Sequence, residues 1–246
     1  MRPDVVVDVG NSRIKWGRVG SDRIVESVSL PPEDPGGWQQ QLSQWKITER
    51  QKWAIGGVDP ARCSILTEWL KRQGHEVLLL DSWRLLGMRL DVEQPDSVGL
   101  DRLFDALAAT KKCAHDMAII VDAGSAVTVD SVSGDGIFRG GAIFPGLGLM
   151  SNALHDYTAK LPLVQLDASR PELPGRSTMA AIKAGIFWSI VGGIRAIIEE
   201  LSLSLTPRVF ITGGDAQVVA SAGRIQGEVW PAMTLEGILL AAEKQP

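Results

Sequence analysis

The feature that most constrains this fold is a short sequence pattern that occurs twice. In each copy an apolar, β-branched run ends in Asp-x-Gly and is followed by a small polar residue and a second apolar run. The matched positions are Asp8 and Asp122, Gly10 and Gly124, and Gly20 and Gly134. Each pair is separated by 114 residues (122 − 8, 124 − 10 and 134 − 20), so the register holds from the first strand through both turns. Internal similarity of this length indicates a duplicated domain.

Each copy predicts a three-stranded antiparallel meander, because apolar runs alternate with turn residues. The strands of the first copy are expected at 4–9, 14–19 and 23–30, with Gly20-Ser21-Asp22 as the second turn, and the third strand of the second copy at 137–144. Helical periodicity follows each meander, most clearly at 60–73 and 178–198. This order of elements predicts an α/β fold of two halves, 1–115 and 116–246, each with a mixed sheet and flanking helices.

Composition excludes several classes of function. The chain has 246 residues, of which 45% are hydrophobic and 22% charged, as in ordinary soluble globular proteins. A net charge of −4 without a long basic run gives no general attraction to nucleic acid or to a membrane. No export signal is visible, so we expect a cytoplasmic protein. The two cysteines and three histidines lack metal-ligand spacing and predict neither a disulfide framework nor a zinc site.

The opening turn carries residues suited to binding phosphate. Asp8 lies in the first strand, Gly10-Asn11-Ser12 forms the turn, and Lys15 lies on the return strand. Backbone N–H groups of such a turn can surround phosphate oxygens, while a carboxylate holds a cation that offsets their charge. Taken alone, the turn is more often a hairpin with an incidental aspartate. Its repetition at Asp122 favours the phosphate interpretation.

A third glycine turn, Gly213-Gly214, ends a late apolar strand. We expect the two halves to bring it into one cleft with Asp8 and Asp122, an arrangement that suits a nucleoside triphosphate. The sequence has no Gly-x-x-x-x-Gly-Lys-Ser/Thr, which excludes a P-loop enzyme. Gly146 and Gly148 are followed by Ser151 instead of a third glycine, which disfavours dinucleotide binding.

Asp101 and Arg102 follow Gly99 at the predicted start of a helix. A carboxylate in the first helical turn most simply serves as a charge that the helix dipole favours. A catalytic role for Asp101 therefore needs support from the other motifs.

Six motifs follow one another along the chain: Asp8-x-Gly10-Asn11-Ser12 with Lys15, Gly99-x-Asp101-Arg102, Asp122-x-Gly124-Ser125-Ala126, Gly140-Gly141-x-Ile143-x-Pro145-Gly146, Thr178 ahead of Ala181-Ile182-x-x-Gly185, and Thr212-Gly213-Gly214-Asp215. Together and in this order they resemble the motif series of type III pantothenate kinases. The resemblance implies duplicated ribonuclease H-like (actin-like) domains. It implies ATP-dependent phosphorylation of pantothenate, with Mg²⁺, a monovalent cation (K⁺ or NH₄⁺) and a homodimer.

The resemblance also implies a role for each matched residue. Asp101 would be the base that accepts the proton of the pantothenate hydroxyl, and Asp122 would hold the monovalent cation. The first phosphate and Mg²⁺ site would comprise Asp8, Gly10, Asn11, Ser12 and Lys15. Further ATP contacts would come from Gly124, Ser125, Gly213 and Gly214, and the substrate pocket would include Gly99, Leu100, Arg102 and Thr178.

Two departures from the family pattern precede Gly99. Val92 and Gln94-Pro95 stand where the family commonly has a tyrosine and Asn-Pro, which leaves one substrate contact open. Ser125 replaces the usual threonine and keeps the hydroxyl.

Two other functions are compatible with the same fold. One is a different small-molecule kinase or a phosphohydrolase, because fold does not fix the substrate. The other is a non-catalytic regulator of the transcriptional accessory type. The presence of Asp8, Asp101 and Asp122 together disfavours the regulator, since a protein that only binds has no need of a base.

Overall fold

A computed structural model of the chain describes residues 1–21, 23–113, 115–202 and 206–245. Asp22, which the sequence placed in a turn, lies outside these residues. The strands are β1 (Val5–Val9), β2 (Ile14–Val19), β3 (Ile24–Leu30), β4 (Lys52–Gly57), β5 (Glu76–Leu80), β6 (Arg89–Leu90), β7 (Ala118–Ala123), β8 (Ala126–Val132), β9 (Ile137–Pro145), β10 (Arg208–Thr212) and β11 (Glu228–Val229). The α-helices are α1 (Pro35–Gln44), α2 (Pro60–Arg72), α3 (Leu100–Cys113), α4 (Leu147–Asp156), α5 (Thr178–Leu201) and α6 (Met233–Glu243).

The chain forms two compact units. Unit 1 contains Met1–Lys112, Gly136–Phe138 and Ala232–Pro246, and unit 2 contains Cys113–Asp135 and Arg139–Pro231. Helix α6 therefore belongs with unit 1, although it follows unit 2 in the chain. The boundary at 115/116 between the duplicated halves stays a prediction.

The sheet of unit 1 has the strand order β3-β2-β1-β4-β5. Its first three strands form the predicted meander, with β1 antiparallel to β2 and β2 antiparallel to β3. Strand β4 then pairs in parallel with both β1 and β5. The valine run of β1 suits this central place because a strand flanked on both sides and covered on both faces needs apolar residues throughout.

Helices α1 and α2 cover one face of this sheet. Val5, Val7 and Val9 point to that face and form a buried cluster with tryptophans and with leucines of the two helices. Side chains alternate along a strand, so Val6 and Asp8 point to the opposite face. A Cβ at Gly17 would lie 3.0 Å from Leu235 of α6 and 3.3 Å from Val6, which places α6 on that second face.

Helix α3 packs against the same second face through two glycines. A Cβ at Gly56 of β4 would lie 2.4 Å from the Phe104 ring. A Cβ at Gly237 of α6 would lie 2.0 Å from the Phe104 carbonyl oxygen. Both positions therefore have to lack a side chain, and the close approach fixes α3 between β4 and α6.

In unit 2 the strand order is β11-β10-β7-β8-β9, and the pairing of β7 with β8 is antiparallel. This repeats the predicted meander. Helix α5 is the one helix among the described residues that is long and apolar enough to cross a membrane. Four of its isoleucines, Ile182, Ile186, Ile190 and Ile194, are nevertheless buried in a cluster with residues of the sheet. Since core helices of soluble proteins pass the same test of length and composition, α5 is weak evidence for a membrane span.

Gly237→Ala tests the packing of α3 on α6. We expect it to lower the free energy of unfolding by about 2–3 kcal/mol, because the new methyl group would force the backbone of α3 to move. Gly192→Ala in α5 is the matched control, since a Cβ there meets nothing within 4 Å. That change should be neutral or stabilising by up to about 1 kcal/mol, as alanine favours a helix over glycine. Denaturant unfolding measures both, and equal effects would contradict the packing described.

Candidate functional site

The candidate site residues of unit 1 lie at the carboxyl ends of β1 and β4. The Val58 N–H donates to the Val9 carbonyl, 3.1 Å away, and holds the two strand ends together. Gly57 lies so close that its Cβ would be 2.3 Å from the same oxygen. Beyond β1 the chain turns, closed by a hydrogen bond from the Gly10 N–H to the Arg13 carbonyl at 3.0 Å. The glycine at 57 therefore permits the strand pairing from which the turn extends.

The turn exposes the residues that the sequence assigned to phosphate. Asn11 and Ser12 are exposed, and Gly10 is half-buried. Lys15 is half-buried on β2, directly opposite Asp8 in the antiparallel register. An exposed turn with a lysine and a carboxylate close by can bind an anion and its counter-cation.

Asp101 lies at the same end of the sheet. Phe104 of α3 rests on Gly56, and Gly99 lies beside Val58, since its Cβ would be 3.7 Å from Val58 Cγ1. The segment from Gly99 to Phe104 therefore lies beside the carboxyl end of β4. Asp8 is in register with Gly56 and so lies on the face that α3 covers. The fold thus places the Asp8 and Asp101 carboxylates on one face and at one end of the unit 1 sheet.

Asp101 also has the structural role expected from the sequence, a negative charge in the first turn of α3 that the helix dipole favours. Its Oδ1 accepts the Arg102 N–H at 2.8 Å, in the first turn of α3. A Cβ at Gly99 would lie 2.5 Å from that oxygen, so the carboxylate lies over a position that needs glycine. The Arg102 guanidinium lies 5.5 Å from the centre of the Phe138 ring. Leu100 begins the helix. The four residues from 99 to 102 therefore form one ordered segment.

Three carboxylates lie near the Cys63 thiol at the carboxyl end of this sheet. Burial of the thiol and, to a smaller extent, the negative charges of Asp59, Asp8 and Asp81 together raise its pKa to about 12. These carboxylates come from three elements: Asp59 caps α2, Asp8 belongs to β1, and Asp81 follows β5. Such a region attracts cations.

The described part of the chain contains no group of three or more His, Cys, Asp or Glu side chains that could hold a metal ion. Mg²⁺ in phosphate-binding sites is usually held by one or two carboxylates together with phosphate oxygens and water.

In unit 2, Asp122 lies near the end of β7 with Thr128 of β8 and Thr212 of β10 in register on either side. The Thr212 hydroxyl is buried and has no hydrogen-bond partner among the described residues. Gly213 has a φ of +95°, and its Cβ would lie 2.3 Å from an Asp122 carboxylate oxygen. Glycine is thus required here for both the backbone angle and the space. The resulting group of side-chain oxygens is of the kind that binds hard cations.

The turn after β10 bends back to β7. The Asp215 N–H donates to the Ala123 carbonyl at 2.8 Å. Burial raises the pKa of the Asp215 carboxyl group. A short π-helical turn, Val218–Ala222, follows.

The turn Gly124-Ser125, which the sequence assigned to ATP, packs against the start of α4. The Gly124 N–H donates to the Ala126 carbonyl at 3.0 Å, and the Gly146 N–H donates to the Ser125 carbonyl at 2.9 Å. A Cβ at Gly146 would lie 2.1 Å from the Gly124 carbonyl oxygen. The sequence assigned no role to Gly146, although the Pro145-Gly146 pair after a strand signals a constrained turn. Gly146 supports the shape of the turn.

Thr178 begins α5, and Ser177 caps that helix by accepting the Ala180 N–H at 3.2 Å. Thr178 lines an apolar groove between α4 and α5, together with Met150 and Ile182. It lies on a different element from Asp122 and the glycine turns. The two departures from the motif pattern, Val92 and Gln94, lie in the irregular segment between β6 and α3.

Sequence reasoning also missed Arg62. Arg62, in the first turn of α2, donates from Nη1 to the Asn11 carbonyl at 2.5 Å. No sequence pattern identified this contact, because the two residues are 51 positions apart.

Comparisons with known proteins give a consistent result. The family model described as type III pantothenate kinase matches residues 5–200. A type III pantothenate kinase of Moorella thermoacetica is 32% identical over 257 aligned positions, which cover 98% of each chain.

Two solved structures share the fold. A putative Baf family transcriptional activator from Campylobacter jejuni has a TM-score of 0.62 and 23% identity, covering 97% of each chain. A putative 2-dehydro-3-deoxygalactonokinase from Sinorhizobium meliloti has a TM-score of 0.59 and 12% identity, also covering 97% of each chain. At these identities the likeness concerns the fold alone, and it confirms the predicted actin-like architecture.

The raised pKa of Cys63 predicts that this thiol resists alkylation. At pH 8 a thiol with a pKa of about 12 is almost entirely protonated, and the thiolate is the reactive form. Iodoacetamide should therefore leave Cys63 unmodified in the native protein and modify it in denaturant, as read by peptide mass spectrometry. Because the folded pKa lies above the unfolded one, this group stabilises the fold below the unfolded pKa and loses that contribution as the pH rises towards 12. Rapid labelling of the native protein would contradict the burial.

Proposed function

Because the chain belongs to the type III pantothenate kinase family, we propose that it transfers the γ-phosphoryl group of ATP to the hydroxyl of pantothenate. The product is 4′-phosphopantothenate, and the reaction is the first step of coenzyme A biosynthesis. The observation that carries the proposal is the position of Asp101, on the face and at the end of the sheet where Asp8 and the turn 10–12 lie. A phosphate-binding turn and a carboxylate for the alcohol are the parts that phosphoryl transfer to a hydroxyl requires.

In the proposed step the Asp101 carboxylate accepts the proton of the pantothenate hydroxyl. The hydroxyl oxygen forms a bond to the γ-phosphorus, the bond from that phosphorus to the β–γ bridging oxygen breaks, and ADP leaves with the electron pair. Gly99, Leu100 and Arg102 line the acceptor side, where Arg102 supplies a positive charge. Phosphoryl transfer needs little covalent chemistry from the protein, so orientation of the two substrates dominates.

The ATP residues are assigned by the motifs and supported by the local geometry. Turn 10–12 and Lys15 would bind phosphate oxygens, since Asn11 and Ser12 are exposed and Lys15 lies on the strand that follows the turn. Gly124 and Ser125 would contribute the second phosphate turn. Gly213 and Gly214 would lie against the nucleoside, because the missing side chain at 213 leaves the end of β10 open to a ligand.

Two cations are part of the proposal. Mg²⁺ would be held by the ATP phosphates and Asp8, and it would neutralise charge on the transferred group. K⁺ or NH₄⁺ would be held by Asp122, and the buried Thr212 hydroxyl beside it adds a second oxygen. The oxygen donors in both places fit hard cations.

Thr178 is proposed as a substrate contact at the start of α5. We further propose a homodimer that works in the cytoplasm, without a nucleic acid or membrane partner. Pantothenate-dependent release of ADP by the purified protein in K⁺ and Mg²⁺, with phosphopantothenate identified by mass spectrometry, tests the proposal. ADP release only with another acceptor would favour a related kinase, and no turnover with any acceptor would favour a regulator.

Asp101→Asn should lower kcat by about 10²–10⁴, the usual contribution of general-base catalysis. Its dissociation constant for a non-hydrolysable ATP analogue should stay within about twofold, because the nucleotide contacts are unchanged. Asp156→Asn at the exposed end of α4 is the control and should keep wild-type kinetics. A turnover close to wild type in Asp101→Asn would remove the base assignment.

Asp122→Asn should abolish the stimulation of activity by K⁺ over Na⁺ at equal ionic strength. The change removes a negative charge that holds the cation while keeping the shape of the side chain. Initial rates across a K⁺ titration measure the effect, with thermal unfolding as the check on folding. An unaltered K⁺ response would assign the cation to other residues.

A further inference from the structure

The turn that would bind the nucleotide phosphates lies at the surface. A hydrogen bond from the Gly10 N–H to the Arg13 carbonyl closes it, and the two residues between them, Asn11 and Ser12, are exposed. Surface loops are more mobile than the strands that they connect. A contact from a rigid helix to this turn therefore restricts the orientation of its peptide groups.

Arg62 provides such a contact from the first turn of α2. Its Nη1 donates to the Asn11 carbonyl at 2.5 Å, and its Nε and Nη2 both donate to Glu33 Oε1 at 3.2 Å. Asp59 Oδ2 lies 3.5 Å from Nε. The guanidinium thus joins three separate segments: the turn after β1, the loop before α1 and the start of α2.

The position of Arg62 is itself well fixed. Asp59 caps α2 by accepting the Arg62 backbone N–H at 3.0 Å, and Pro60 begins the helix. Leu66 and Leu70 of the same helix are fully buried in the core of unit 1. The Arg62 side chain is only 25% exposed. A planar guanidinium on such a support can define the direction of the carbonyl that it binds.

The direction of that carbonyl determines the direction of a neighbouring N–H. In a trans peptide the C=O of one residue and the N–H of the next lie in one plane and point in opposite directions. With the Asn11 carbonyl held by Arg62, the Ser12 N–H points away from α2. We infer that Arg62 is a positioning residue, which orients the Asn11–Ser12 peptide so that the Ser12 N–H faces the nucleotide phosphates.

This inference rests on the proposed function for the identity of the nucleotide. Removing the guanidinium frees the peptide to rotate and to turn the carbonyl towards an anion. Arg62→Ala should raise the KM for ATP about tenfold, the equivalent of one hydrogen bond to a charged group. The KM for pantothenate should stay within about twofold, and kcat should fall less than the KM for ATP rises.

Three further variants make the test specific. Glu33→Ala removes the anchor of the guanidinium without touching the turn, and it should raise the KM for ATP about threefold. Arg62→Lys should fall between wild type and Arg62→Ala, because an ammonium can reach one partner but cannot bridge several in a plane. Arg72→Ala is the matched control: it lies on the same helix and forms only an exposed ion pair with Glu68. It should leave all kinetic constants within about twofold.

Calorimetric titration with a non-hydrolysable ATP analogue separates the inference from the proposed function. If wild-type protein phosphorylates pantothenate but Arg62→Ala binds the analogue as tightly, the positioning role is wrong and the function stands. If wild-type protein binds the analogue without phosphorylating pantothenate, weaker binding by Arg62→Ala still supports the positioning role. An effect of Arg62→Ala without any effect of Glu33→Ala would make Arg62 a direct phosphate ligand and overturn the inference. If Arg62→Ala does not fold, Arg62→Lys and Glu33→Ala decide the question.

Discussion

The parallel pairing of β1 with β4 is the constraint on which the site of unit 1 depends. The hydrogen bond from the Val58 N–H to the Val9 carbonyl brings the two strand ends together, and Gly57 leaves room for that oxygen. From this point the turn after β1 and the start of α2 leave the sheet side by side. Helix α3 uses the same strand, because Phe104 rests on Gly56. One pair of adjacent glycines thus sets the positions of the phosphate turn, of Arg62 and of Asp101.

Unit 2 has a similar arrangement, in which a parallel neighbour of the first meander strand has glycine at its carboxyl end. The parallel neighbour of β7 is β10, as β4 is the parallel neighbour of β1, and β10 is followed by Gly213-Gly214. Gly57 and Gly213 take corresponding places, because a Cβ at either would lie 2.3 Å from the carbonyl oxygen of Val9 or of Ala123. They are 156 residues apart (213 − 57), not the 114 that relates the meanders. The difference reflects the longer connection in unit 2, which includes α4, a long loop and α5. The duplication therefore extends beyond the meander in structure, although a fixed interval in the sequence detects only the meander.

The parts of the fold that could be predicted depend on local physical chemistry. Strands β1 and β7 and their turns follow from β-branched runs and glycine placement, and the start of α3 at Asp101 follows from its apolar spacing. The return of α6 to unit 1 could not be predicted, because it depends on packing between Gly237 and Phe104, which are far apart in the chain. The hydrogen bond from Arg62 to the Asn11 carbonyl could not be predicted for the same reason. The roles of Asp101 and Asp122 came from the motif series, since neither spacing nor burial distinguishes a base from a helix-capping carboxylate.

The proposed division of roles between Asp8, the turn and Asp101 has an electrostatic reason. A turn that binds phosphates must present N–H groups, and a carboxylate among them would repel the anion unless a cation lay between. Asp8 is placed one strand residue before the turn, where a cation can bridge it to phosphate. Asp101 is held instead by the first turn of α3, whose dipole favours the charged carboxylate while the helix fixes its direction. In the proposed mechanism the base is therefore carried by a different element from the turn that binds the phosphates, so its negative charge does not lie among the N–H groups of that turn.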